Sequence, residues 1–433
     1  MKRPLSCCLL ISSSLFSLST MAADDLWSVY QQAKQADPQM QMAAANRSAR
    51  YEARPRALAA LHPTMTLSGQ LGYQQQHLAG HAADRYASNS VSLNLTQPVY
   101  HRAAWLALSQ VDKELAQADI QYQVAEQDLI MRVAQAYFGL LGAQDDLRFA
   151  QSEKTAIARQ LEQAKQRFDV GLVAMTDVHE VQARSDQAGA ALLSAENALD
   201  NAHAGLHEMT RRRPSALARL QASIPLEIPS TNQDWHVRAR EHNLALRATR
   251  LAAAIAADEV GIQQSAHYPV LDLIASLSRS ETQATTGVGS TNRHIGLQLS
   301  VPIYQGGRVQ AQVRQARFTE QAAQAAFTRQ QYAVERQAST AYRSIQTSIG
   351  RVQALQAVQV SAQSALQATQ AGFEAGTRTL VDVLNSQRDL YRARRDYAQA
   401  RYQYVLSTLS LYQAVGILDD AHLQQINHWL DPA

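Results

Sequence analysis

The chain repeats itself at long range. Phe168-Asp169-Val170-Gly171 followed by Thr176-Asp177-Val178 returns as Phe373-Glu374-Ala375-Gly376 followed by Val381-Asp382-Val383. Gln97-Pro98-Val99-Tyr100 returns as Val301-Pro302-Ile303-Tyr304, Ala136-Tyr137 as Ala341-Tyr342, and His62-Pro63 as Tyr268-Pro269. The offset holds at about 205 residues through motifs of unlike composition, whereas chance matches would scatter in spacing. A whole structural unit is therefore duplicated. The units span 23–230 and 231–433, each a helix, two strands and a long helical hairpin, with a C-terminal tail on the second.

Met1-Lys2-Arg3, an apolar stretch from Leu5 to Leu18 and small residues around Thr20-Met21-Ala22 read as an export signal over 1–22, cleaved after Ala22 or Ala23. Cys7 and Cys8 both lie inside it, so the mature chain has no disulfide or thiolate chemistry. Loss of Lys2 and Arg3 lowers the formal charge of +3 by two, and a near-neutral chain with 18% charged residues has no nucleic-acid signature. Beyond the signal, no apolar run reaches the ~18 residues of a spanning helix. An exported chain of this kind is either free in the periplasm or crosses an outer membrane as strands.

Between Pro98 and Gly171 there is no proline, and Ala, Gln, Leu and Arg favour helix throughout. A helix from His101 to Asp169 would be on the order of 100 Å long at 1.5 Å per residue. Leu129, Val133, Ala136, Leu140, Ala143 and Leu147, resumed by Ile157, Leu161, Ala164 and Phe168, step by three and four as in a coiled-coil seam. A second helix from Val178 to about Arg211 runs back after Gly171. The second unit repeats this with Val309 to Ala371, a turn at Gly372 to Gly376, and Leu380 to Val415.

The segments before the long helices alternate instead. Met65, Leu67, Leu71 and Tyr73 form one apolar face, as do Val91, Leu93 and Leu95, then Leu271, Leu273, Ala275 and Leu277, then Ile295, Leu297, Leu299 and Val301; Ile274 breaks the pattern. Each is ~9 to 11 residues, the length and period of a membrane barrel strand. Polar loops join them, one holding His81, Asp84 and Asn89, the other running from Thr285 to Ser290. Pro63, Pro98, Pro269 and Pro302 mark the ends that meet helices. Four strands cannot enclose a lumen, and open edges in lipid leave unpaired backbone groups. Three copies would supply twelve strands, an even number within the range of known barrels.

Gly171-Leu-Val-Ala-Met-Thr-Asp-Val178, Val301-Pro-Ile-Tyr-Gln-Gly-Gly307 and Gly376-Thr-Arg-Thr-Leu-Val-Asp-Val383 resemble the TolC family of outer-membrane channels over essentially the whole mature chain. The resemblance implies a mainly helical fold with a membrane β-barrel: a trimeric twelve-stranded barrel on a long periplasmic tunnel. It implies outer-membrane lipid around the barrel, docking to an inner-membrane ABC or RND-type transporter through a periplasmic adaptor, and export of proteins or drugs. It implies no cofactor. Thr176 and Asp177 match positions that latch the closed periplasmic entrance, and Arg378 matches the arginine that binds them; Phe373 stands where that branch has a tyrosine. Asp382 matches the first of two aspartates ringing the constriction, and Asn385 replaces the second. A glycine usually follows the threonine at Thr210, where this chain has Arg211-Arg212-Arg213.

Other readings of these residues stay open. Asp177 and Arg378 follow helix turns, where acids favour the helix dipole without any gate, and Asp382 could cap its helix. Tyr73, Tyr100, Trp105 and Tyr304 suit either an interfacial girdle or packing at the barrel-helix junction. His203 and His207 lack a third ligand, and Asp145-Asp146 point to different helix faces, so catalysis is not indicated. A periplasmic coiled-coil adaptor or scaffold would share the hairpins but would not need the alternating strands.

Overall fold

The computed structural model describes residues 24–77, 84–214, 216–228, 235–282 and 289–431 of the chain. The expected export signal, His81 and most of the Thr285–Ser290 loop lie outside the described residues. In the first unit α1 (Leu26–Ala36), α2 (Pro38–Tyr51) and α3 (Ala53–Ala59) lead to β1 (Thr64–Gln76) and β2 (Asp84–Tyr100), then to α4 (Arg102–Asp169) and α5 (Met175–Thr210). The second holds α6 (Trp235–His242), α7 (Leu244–Ser265), β3 (Val270–Thr282), β4 (Gly289–Ser300), α8 (Arg308–Glu374) and α9 (Leu380–Val415), with α10 (Asp420–Asn427) in the tail.

The strands form one antiparallel sheet in the order β1-β2-β3-β4. Register turns the alternation into two continuous faces. Met65, Leu95, Ala275 and Ile295 make one row across the sheet and Leu67, Leu93, Leu277 and Arg293 another, while Thr66, Asn94, Ser276 and His294 make a row on the opposite face. On that polar face Ser68 and Ser92 share a hydrogen bond of 2.7 Å. Ile274, the residue out of pattern, lies in a polar-face row with Thr64, Thr96 and Gly296.

The strands are longer than alternation suggested. Asp84 and Asn89 belong to β2, and Gly289 and Ser290 to β4, because the ladder continues through polar residues once backbone pairing is established. Pro63 and Pro269 stand just before β1 and β3, whereas Pro98 lies inside β2 at a register shift before Tyr100. A proline cannot donate to the ladder, so the bulge takes it.

The hairpins run away from the sheet, α4 with α5 and α8 with α9, and α4 also packs along α9. At 68 and 67 residues, α4 and α8 each extend on the order of 100 Å. The main core lies midway along them. Tyr137 is fully buried there, its hydroxyl donating to the Ala218 carbonyl at 2.8 Å, and Tyr404 donates to the carbonyls of Pro225 and Glu227 at 2.9 Å. The segment 216–228 and α10 therefore belt the helices at this level. Tyr342, the repeat partner of Tyr137, is only half-buried, so the two units share a backbone plan but not a covering.

Candidate functional site at the hairpin tips

Both hairpins turn by the same device. Gly171 and Gly376 have φ of 78° and 75°, the left-handed region that favours glycine. The Leu172 N–H reaches the Arg167 carbonyl at 2.8 Å, and the Thr377 N–H reaches the Gly372 carbonyl at 2.8 Å. These bonds close the last turn of α4 and α8 in the manner of a Schellman cap. The repeat is thus exact in backbone and unequal in side chains: Arg167 in one tip stands where the other has Gly372.

That inequality arranges the tips. A Cβ on Gly372 would meet Arg378 Cγ at 2.8 Å, so the absent side chain is the space that Arg378 occupies. The Arg167 guanidinium lies over the Phe373 ring, 4.7 Å from its centroid, tying the end of α4 to the end of α8. Deeper in, Gln160 Nε2 donates to Gln387 Oε1 at 2.8 Å between α4 and α9. The apolar support is thin here: Ile157, Ala164, Val178, Val181, Ala188 and Leu384 form one small cluster, and Leu366, Val383 and Leu390 another. Phe168, placed in the seam by its spacing, is 40% exposed.

Thr176 is exposed and Asp177 half-buried in the first turn of α5, and Arg378 is exposed in the turn before α9. Within one chain, and among the described residues, Arg378 makes no hydrogen bond or ion pair with either. Asp382 joins Thr379 in a capping box: the Thr379 N–H and hydroxyl both donate to Asp382 Oδ2 at 2.9 Å, and the Asp382 N–H donates to Thr379 Oγ1 at 3.2 Å. The backbone and side-chain hydrogen bonds from Thr379, with the charge of Arg378, hold this carboxyl below its usual range. Asn385, one turn on, borders a cavity between α9 and the first hairpin.

Arg167, Gln160 and Gln387 escaped sequence reasoning, and Gly372 was read only as part of a turn, not as the space for Arg378. A signal existed for Arg167 and Gly372, since they occupy the same repeat position directly before Phe168 and Phe373.

The sequence model of the outer membrane efflux protein family matches residues 29–210 and again 235–417, one match per repeat. The chain belongs to this family. Outer membrane protein TolC of Vibrio cholerae serotype O1 is 38% identical over 433 residues, covering 98% of each chain. Outer membrane protein TolC of Escherichia coli K12 is 35% identical over 436 residues, covering 98% of this chain and 88% of its own. The crystal structure of CusC superposes with a TM-score of 0.79 at 16% identity, over 92% of this chain and 93% of that one. The fold is accordingly that of one protomer of a trimeric channel of this efflux family, with four strands per chain. As an outer-membrane efflux protein it acts as a channel for secretion or efflux, located in the outer membrane and reaching into the periplasm.

Proposed function

We propose that three copies close one barrel and one tunnel, receive cargo from an inner-membrane ABC or RND-type transporter through a periplasmic adaptor, and open only when the hairpin tips part. The observation that carries this reading is the sheet. Met65, Leu67, Leu71, Ile295, Leu297 and Leu299 are all exposed on one face, and among the described residues β1 and β4 each leave an edge unpaired. Water does not favour such a face, and lipid does not tolerate such edges, unless neighbouring copies pair β1 with β4. A periplasmic scaffold has no use for either. Tyr73, Tyr100, Trp105 and Tyr304 are exposed as well, which supports the girdle reading over internal packing.

At the tips, Arg167 and Phe373 hold the two hairpins of one protomer together, while Arg378 reaches Thr176 or Asp177 of a neighbouring protomer. Phe373 lacks the hydroxyl of a tyrosine but keeps a ring face for a cation. Asp382 contributes one carboxylate per protomer to the constriction, and Asn385 an amide. The test is reconstitution of the purified protein in planar bilayers with its mass measured in detergent. A trimer of low conductance, opened by tip substitutions, supports the reading; a monomer without conductance overturns it.

A further inference from the structure

Beyond Asn385 the charge along α9 reverses. Arg388, Arg392 and Arg395 follow at steps of three, four and three, which sets them in one stripe on a helix face. Together with Arg184 of α5 they line a cavity of about 650 Å³ bounded by α4, α5 and α9. Its floor includes Ile157, Ala188 and Leu384, all buried and apolar. The volume is that of a site for a small organic molecule.

Two of these four basic groups have no neutralising partner among the described residues. Among the described residues, Arg184 and Arg392 make no hydrogen bond or ion pair. Arg388 and Arg395 reach only the next residue on their own helix, Asp389 at 3.4 Å and Asp396 at 3.6 Å. The facing wall of α4 supplies Asp146 and Glu153. Burial raises both carboxyls above their usual range, against the opposing pull of Arg395 on each and of Arg388 on Glu153. Asp146 Oδ1 is buried without a hydrogen-bond partner among the described residues. Of the four guanidinium groups around the cleft, Arg388 and Arg395 are paired with Asp389 and Asp396, whereas Arg184 and Arg392 have all their donors unused among the described residues.

We propose that this cleft binds an amphipathic anion, an organic carboxylate, sulfonate or phosphate whose charged end meets Arg184 and Arg392 and whose apolar body rests on Ile157 and Leu384. A guanidinium fork matches a planar oxyanion in geometry as well as charge, which a lysine does not. The inference goes beyond the export reading, because binding is measured without transport and survives or fails independently of conductance.

The probe is naphthalene-1-sulfonate, titrated calorimetrically into the purified full chain in lipid nanodiscs, with naphthalen-1-ylmethylammonium as the cation of matched shape. Saturable binding of the sulfonate alone is expected, weakened at least tenfold in Arg184→Gln/Arg392→Gln and restored only in part by Arg392→Lys. Ala195→Phe, which adds bulk to the cavity wall without touching charge, should weaken binding as well. Retained trimer elution and melting midpoint qualify each variant, and any single variant that fails this check is replaced by Arg392→Gln alone. Equal binding of the cation, no saturable binding of the sulfonate, or affinity unchanged in the arginine variants each overturns the proposal.

Discussion

The guanidinium of Arg167 stacks over the ring of Phe373, 4.7 Å from its centroid, and so links two helix ends that come from different copies of the repeat. Arg167 stands four residues before Gly171 and Phe373 three before Gly376. The contact sits where apolar packing is sparse, which makes it a feature that can part without unfolding the hairpins. Exposed cation-π pairs contribute about 0.5–1 kcal/mol. Arg167→Ala and Phe373→Ala should each raise conductance in planar bilayers with little change in melting midpoint, whereas Phe373→Tyr should stay closed. Conductance equal to the parent in both alanine variants would remove this pair from the gate.

Gly372 and Arg378 form a second test. Arg378→Ser should open the channel by removing the proposed contact with Thr176 or Asp177 of a neighbour. Gly372→Ala should do so as well, because the added Cβ would fall 2.8 Å from Arg378 Cγ and displace that side chain from the tip. Backbone strain is not involved, since Gly372 is not among the glycines with positive φ. An open Arg378→Ser channel beside a closed Gly372→Ala channel would show that the position of the arginine in the turn does not matter.

For Asp382, capping and charge can be separated. Thr379→Ala removes the reciprocal cap and should cost about 1 kcal/mol locally while leaving the carboxylate in place. Asp382→Ala removes both. If the residue rings the constriction, block by a multivalent cation added on the periplasmic side persists in Thr379→Ala and weakens in Asp382→Ala. Block that is undiminished in Asp382→Ala assigns the residue to the cap alone.

Arg211 is the sole non-glycine residue with positive φ among those described, at 56°, and it ends α5 with its N–H on the His207 carbonyl at 2.8 Å. A side chain in this conformation costs roughly 1–2 kcal/mol relative to glycine. Arg211→Gly should therefore raise the thermal midpoint of the purified protein. A lowered midpoint would mean that the arginine makes contacts in the assembly that outweigh the strain.

Asp37 and Arg132 join α2 to α4 through two hydrogen bonds of 3.2 and 2.7 Å, with the Asp37 side chain only 3% exposed. Burial alone would raise the Asp37 carboxyl, but the Arg132 hydrogen bonds and charge, with the Met40 N–H, outweigh it and hold the group below its ordinary value of 3.8. Its stabilisation is thus fully present above that value and is lost as pH falls through the lower folded value. Arg132→Met leaves a buried carboxylate unpaired and should destabilise by about 3 kcal/mol at neutral pH, with the deficit shrinking as the carboxyl is protonated. Urea titrations at pH 7 and pH 3 read this directly.

Much of the tip was legible residue by residue. Phe168 to Gly171 and Phe373 to Gly376 announce two equal turns, and Thr379 with Asp382 has the spacing of a capping box. The departure at Arg211, where a glycine is usual, marks the one strained non-glycine backbone position described. Which side chains meet across the hairpins was not legible. The sequence alternation also stopped short of the true strand ends, because backbone pairing carries a ladder past the last apolar residue and into polar positions such as Asp84 and Asn89.

By itself the sequence determined the duplication, the paired hairpins, the four two-faced strands and hence the membership in a channel family, since periodicity, turn glycines and caps are properties of neighbouring residues. Tertiary structure alone decided that Arg167 meets Phe373, that Gln160 meets Gln387, and that Arg184 joins the α9 arginines around one cavity. Residues some 200 positions apart are brought together only by how one long hairpin lies along the other, and a shift of a single helical turn, about 5.4 Å, would change every such partner while leaving each local pattern intact.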